Sequence, residues 1–147
     1  MEDVQKAAPT MGLQVQILNA TSIGEIDAAF ATFARERPDA LLVSGDAFFV
    51  GRRVQLAILA ASYRIPAAYS SRDYVAAGGL MSYGTDLADM FRQVGFYTGT
   101  ILKGAKPADL PVLQATKFEF VINMQTAGAL GIEVPNSIQL LADQVIE

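Results

Sequence analysis

Three short stretches of this sequence carry side chains able to hold or react with a small molecule: Ser44-Gly45-Asp46-Ala47-Phe48-Phe49, Ser70-Ser71-Arg72-Asp73 and Tyr83-Gly84. Asp46 opens a run of helical character, so its carboxylate either caps that helix, worth about 1 kcal/mol, or meets a ligand cation or amine; one carboxylate can do both. Phe48 offers a ring for stacking, although one of two adjacent aromatics on a helix ordinarily turns to the core. Ser70 and Arg72 supply a hydroxyl and a guanidinium fork that fits a ligand carboxylate; the competing reading is a capped short helix with a solvated arginine. Tyr83 can bring a phenol to a ligand where Gly84 permits a bend, or simply sit half-buried. The expected ligand-binding set is Ser44, Asp46, Phe48, Ser70, Arg72 and Tyr83.

Catalysis has few agents here. The 147 residues include no His and no Cys, which removes thiol nucleophiles, disulfides, a Ser-His-Asp triad and the usual zinc ligand sets. Asp46 and Asp73 have neither a nucleophile motif nor a metal motif beside them, so no enzyme activity, metal or cofactor is expected. Residues 45–52 follow a strand and open a helix as a phosphate loop does. They lack its Lys-Ser/Thr pair, and no Gly-x-Gly-x-x-Gly occurs for a dinucleotide.

A net charge of −4, with the cations scattered singly, leaves no surface for nucleic acid. No apolar run approaches the roughly 20 residues that span a bilayer. Met1-Glu2-Asp3-Val4 has neither the basic nor the apolar part of a secretory signal, so the chain as written is expected in the cytoplasm. The sequon Asn19-Ala20-Thr21 reads as a chance occurrence. With 52% hydrophobic and 18% charged residues, the chain has enough apolar surface for a packed core without metal or disulfide.

The elements that position the candidates alternate. Residues 2–13 read as a helix tail disturbed by Pro9, and residues 15–19 as a β-branched strand. Ser22-Ile23-Gly24-Glu25 is a capping box that starts a helix with Ile26, Ala29, Phe30 and Phe33 on one face. Residues 39–45 form a continuous apolar run, the mark of a strand buried on both faces, and a helix follows over 48–64. Residues 65–69 read as a strand, 71–77 as a helical turn, and 80–84 as another strand. Thr85-Asp86 caps a long helix whose Leu87, Met90, Val94, Tyr97 and Ile101 form a stripe expected in the core. Two prolines make residues 107–111 a connector, residues 118–122 alternate as a strand, Asn123 caps a helix to Gly131, and Pro135-Asn136 opens a last one.

Strand and helix in alternation give an α/β class with a parallel sheet and right-handed crossovers. In such sheets ligands sit beyond the carboxyl ends of the strands, where all six candidates lie. A free-standing flavodoxin-like or receiver-like regulatory domain is the alternative that this pattern also allows.

The runs Gly78-Gly79-Leu80-Met81-Ser82-Tyr83-Gly84, Ile101-Leu102-Lys103-Gly104-Ala105-Lys106-Pro107-Ala108-Asp109-Leu110-Pro111-Val112 and Lys117-Phe118-Glu119-Phe120-Val121-Ile122-Asn123 go further. With the closing Ala129-Leu130-Gly131-Ile132-Glu133-Val134-Pro135 and Ala142-Asp143-Gln144-Val145-Ile146-Glu147, they resemble the ABC transporter substrate-binding protein family typified by tryptophan/tyrosine-binding lipoproteins. The resemblance implies the C-terminal part of a two-lobed, type I periplasmic-binding-protein fold, with a three-layer lobe over about 1–83 and 119–147. Residues 84–118 would be hinge and helix belonging with an absent N-terminal lobe, and their apolar side chains would be exposed.

The same resemblance implies a function: solute binding for an ABC import system. A small molecule, amino acid or aromatic/organic acid-like, would be held in an interlobe cleft and delivered to permease subunits. The full-length protein would be a periplasmic or extracytoplasmic lipoprotein. Ser44-Gly45-Asp46 and Tyr83-Gly84 fall on cleft-lining positions of that pattern, and half a cleft is expected to bind poorly alone.

Overall fold

The computed structural model describes residues 2–114 and 116–147; Met1 and Ala115, the latter within the expected returning segment, lie outside the described residues. Two compact units result, one ending at Glu36 and one running from Arg37 to Glu147.

In the first unit α1 (Glu2–Ala7) gives way to a 3-10 turn, Ala8–Met11, with Pro9 at its start and Gly12 closing it in the left-handed region at φ 70°. Pro9 thus sits in the opening of a new turn rather than kinking one helix, because its missing N–H is needed only in a helix interior. Residues 13–20 carry no regular secondary structure, which corrects the strand expected over 15–19. A β-branched run becomes a strand only when a neighbour supplies the ladder. The helix α2 (Ile23–Glu36) starts as expected: Ser22 Oγ accepts from Glu25 N–H at 3.3 Å. The Glu25 carboxylate reaches one residue further back than a standard box, accepting from the Thr21 N–H at 2.6 Å and its hydroxyl at 2.9 Å. Those bonds, the Thr21 amide first, hold the Glu25 carboxyl below its usual range. Ile26, Phe30 and Phe33 are the buried face of α2.

The second unit is built on a five-stranded sheet whose spatial order follows the chain: β1 (Leu41–Leu42), β2 (Ala67–Tyr69), β3 (Met81–Thr85), β4 (Phe118–Asn123) and β5 (Gln144–Ile146). Strands β1, β2 and β3 are parallel, as are β4 and β5, but β3 and β4 are antiparallel. The sheet is therefore mostly rather than wholly parallel, and an all-parallel receiver-like topology does not describe it. The reason is an excursion: the chain leaves along β3, runs through α6 (Leu87–Leu102) and the 3-10 turn Pro107–Asp109, and comes back beside the strand it left. The register pairs Thr85 with Phe118, Asp86 N–H donates to Lys117 O at 3.0 Å, and Lys117 Nζ lies 3.5 Å from the Asp89 carboxylate. Outgoing and returning segments are fastened together at their root.

The expected helix over 48–64 is two, α3 (Ala47–Gly51) and α4 (Arg53–Ser62), broken at Arg52 with φ −112° and ψ 15°. The remaining helices are α5 (Arg72–Ala76), α7 (Met124–Leu130), capped by Asn123 and ended by Gly131 at φ 75°, and α8 (Asn136–Gln139). Strand alternation assigns the faces. Met81, Phe120, Ile122 and Val145 share the side that packs with Leu80, Ala127, Leu130 and Val134 around α7. Ser82, Glu119, Val121 and Gln144 share the other, which α5 covers.

The stripe on α6 is not core. Val94 and Ile101 are exposed, and Asp89 is the buried residue of this helix among those described. The exposure follows the expectation drawn from the family resemblance and corrects the one drawn from helical spacing.

Candidate functional site

The parallel strands β1, β2 and β3 end side by side, and glycines set how closely. A Cβ placed at Gly84 would sit 1.9 Å from the Ser70 carbonyl oxygen, and one at Gly45 would meet the Ser70 side chain at 3.3 Å. Only a residue without a side chain lets β3 pass the end of β2 at that distance. The loop that carries Ser44 and Asp46 thereby meets Ser70 through Gly45 at the carboxyl edge of the sheet.

Asp46 is the N-cap of α3, its Oδ1 accepting from Phe48 N–H at 2.8 Å, and it is exposed to solvent. The capping reading therefore holds, with the other carboxylate oxygen left over. Phe48 is partly buried against the Phe49 ring, the centroids being 5.6 Å apart. Ser70 and Ser44 are partly buried, and their hydroxyls have no partner among the described residues.

Arg72 is placed differently from expectation. Its guanidinium donates to Glu119 Oε2 at 3.3 Å and to Gln144 Oε1 at 2.7 Å, clamping α5 onto β4 and β5. The fork offered to a ligand carboxylate is used inside the fold. Tyr83 also departs from the cluster: Gly84 faces Ser70, so its neighbour Tyr83 points to the opposite side of the strand. There it stacks on Phe118 of β4, centroids 5.7 Å apart and planes 10° from parallel, while remaining 67% exposed. Phe118 was not among the sequence candidates; its place two residues from the one paired with Tyr83 is the register signal that brings the rings together.

Beneath α5 lies a layer of hydroxyls that sequence reasoning did not anticipate. Tyr69 and Tyr74 stack at 4.6 Å, both fully buried, and their hydroxyls, with those of Ser71 and Ser82, have no hydrogen-bond partner among the described residues. Burial pushes the Tyr74 phenol up to about 12, the Asp46 charge adding to the shift and Arg53 opposing it. Burial also raises Tyr69, with Tyr74 contributing. The Asp46 carboxylate is thus within electrostatic reach of a sealed, unpartnered phenol.

A separate cavity of about 230 Å³ lies along α6, walled by Met90, Val94, Tyr97, Leu113 and Lys117, and none of the six expected residues lines it. Its polar rim is satisfied internally. Asp89 accepts from Arg92 and from Gln93 Nε2, and Tyr97 donates to Pro111 O at 2.7 Å. The Gln93 bond first, then Lys117 and Arg92, hold the Asp89 carboxyl below its usual range. Among the described residues no group of three or more acidic side chains is placed to hold a metal ion, and no helix is long and apolar enough to cross a membrane.

Strand ends converging on an open edge, in a mostly parallel sheet interrupted by one excursion, match a known pattern. The profile described as ABC transporter substrate binding protein matches residues 1–146. This chain belongs to that family. No curated protein matches it. Among solved structures, a Streptococcus pneumoniae ABC domain in complex with L-Trp aligns with a TM-score of 0.89 and 32% identity, over 99% of this chain and 49% of that one. A conserved domain protein from Vibrio cholerae O1 biovar El Tor aligns at TM-score 0.88 and 24% identity, over 98% and 48% of the two chains. A ligand-free, open substrate binding protein with adhesive properties from Clostridium difficile aligns at 0.68 and 21%, over 99% and 48%. The last two are likenesses of fold. This substrate-binding-protein chain spans about half the length of the solved structures it matches, and its α/β sheet flanked by helices is theirs.

Proposed function

We propose that the chain is the C-terminal portion of the solute-binding component of an ABC import system, without catalytic activity, and that its strand-end cluster is one wall of an interlobe cleft. The observation that carries this is the close approach of Gly45 and Gly84 to Ser70 at the strand ends, where α/β sheets hold ligands. In this reading residues 1–83 and 119–147 belong to one lobe, and 84–118 are hinge and helix that pack with the other. The fastened root at Asp86, Asp89 and Lys117 and the apolar α6 support that division. The ligand is a small molecule, amino acid or aromatic/organic acid-like, in keeping with the L-Trp complex of the 32% identical relative. Permease subunits take the loaded protein, and the full-length protein works as an extracytoplasmic lipoprotein.

The test is a thermal-shift screen of amino acids and aromatic acids, run on this chain and on a two-lobed version that carries an N-terminal half. A rise of several degrees for a restricted set of solutes in the two-lobed protein, with little in the chain alone, is the expected result. A two-lobed protein that responds to none of them, or to nucleotides instead, counts against the reading.

A further inference from the structure

The outer face of α6 is apolar where a solvated helix carries charge. Ala88, Phe91, Gly95, Thr98 and Leu102 recur at helical spacing and are all exposed, Phe91 at 66% and Leu102 at 82%. This face is not the cavity wall: Met90, Gln93 and Tyr97, which line the cavity, lie on the far side of the helix. Nothing lies within 4 Å of where a Cβ would stand at Gly95 or at Gly99 one turn on, so the middle of the stripe is open to an approaching backbone. The stripe is self-complementary in one direction only. Laid antiparallel across a second copy with Gly95 at the crossing, Phe91 falls on the second copy's Gly99 and Leu102 on its Ala88, large on small along the contact. Lys103, exposed at the C-terminal end of α6, falls at the second copy's Asp86, which caps the N-terminal end, and the two helix dipoles oppose. A parallel pairing instead sets Phe91 on Phe91, leaves the glycines over one another and brings Lys103 to Lys103.

We infer that α6 is a self-association face and that its partner is a second copy of this chain, paired antiparallel about a twofold axis at Gly95. Such a contact is isologous: each residue that meets another is met by it in turn, so one stripe serves both copies. The glycines let the helix axes come close enough for Phe91 and Leu102 to reach the opposite backbone. Val94 and Phe96, exposed on either side of the stripe, widen the contact. The inference does not rest on the solute-binding reading; in a two-lobed protein the second lobe takes the second copy's place.

The test measures the mass of the chain by sedimentation equilibrium from low micromolar to near-millimolar concentration. A monomer–dimer equilibrium is expected, weakened at least tenfold by Phe91→Glu and by Lys103→Glu, each with an unchanged far-ultraviolet circular dichroism spectrum. Both side chains are exposed, so neither substitution empties the core. The chain has no Cys, which leaves a clean background for disulfide trapping of single introduced thiols. Gly95→Cys, at the axis, is expected to link two copies under mild oxidation, and Leu102→Cys, held away from its own counterpart, to stay unlinked. A chain that stays monomeric, that associates without stopping at the dimer, or that dimerises as tightly with Phe91→Glu overturns the inference. Leu102→Cys linking as readily as Gly95→Cys overturns it too, because an antiparallel pair holds those thiols apart.

Discussion

The sheet under α5 and the excursion through α6 both carry stripes of apolar side chains, and these meet opposite fates. Around β2, β3 and β4, side chains such as Tyr74, Val75, Val121 and Ile122 are at most 2% exposed. Along the excursion, Phe96, Leu102 and Val112 are 71%, 82% and 95% exposed. Both regions carry stripes that helical or strand spacing marks as buried; the difference is whether this chain supplies the facing layer. An apolar face left open over this length reads as a packing surface for other protein, and in the proposed two-lobed protein that cover is the second lobe.

The comparison breaks most sharply at Gly84. Gly84→Val places carbon against the Ser70 carbonyl, a backbone atom that cannot step aside, and is expected to cost about 3 kcal/mol or prevent folding, read by chemical denaturation. Next comes a matched pair. Ile122→Ala, which empties part of the sealed core, is expected to cost about 3 kcal/mol, whereas Val94→Ala on α6 stays within about 0.5 kcal/mol in the chain alone. In a two-lobed protein the Val94 effect should rise towards that of Ile122, which sharpens the claim that α6 is a core face awaiting its partner.

The two regions also differ in pH response. Tyr74 titrates near 12 in the folded chain against about 10 in the unfolded one, and Tyr69 is raised as well. The unfolded state therefore loses these protons first, so stability is intact below about pH 10 and declines as pH climbs towards 12. Asp89, at the foot of α6, works in the other direction: its lowered folded value gives stability present above the ordinary aspartate range and lost as pH falls through the folded value. Circular dichroism across pH should show Tyr74→Phe easing the alkaline loss and Asp89→Asn easing the acid one, without exchange of the two effects. The smallest change expected is Asp46→Asn, with unfolding free energy unchanged within about 0.5 kcal/mol because Asn caps equally well.

Much of this was legible locally. The caps at Asp46, Asp86 and Asn123, the stop at Gly131 and the strand starting at Phe118 depend on neighbours in sequence, and all lie where spacing places them. What escaped depends on distant partners. Residues 15–19 have the composition of a strand but no ladder, and β5 is a strand because Val121, Ile122 and Asn123 pair with it, not because Gln144-Val145-Ile146 announces one. Arg72 is claimed by a glutamine 72 positions away. The places of Ser44, Asp46 and Ser70 just beyond β1 and β2 were readable from where those strands end. The departure of Tyr83 to the other face, the Phe118 ring beneath it and the sealed hydroxyls under α5 required the register of the sheet.

The central claim is that these strand ends form one wall of a two-walled site. Calorimetric titration of L-tryptophan into the chain and into a two-lobed protein containing it tests that claim most directly. The account predicts binding at least tenfold tighter in the two-lobed protein, weakened in both by Asp46→Asn. Equal affinity in the two, or affinity indifferent to Asp46, would contradict it.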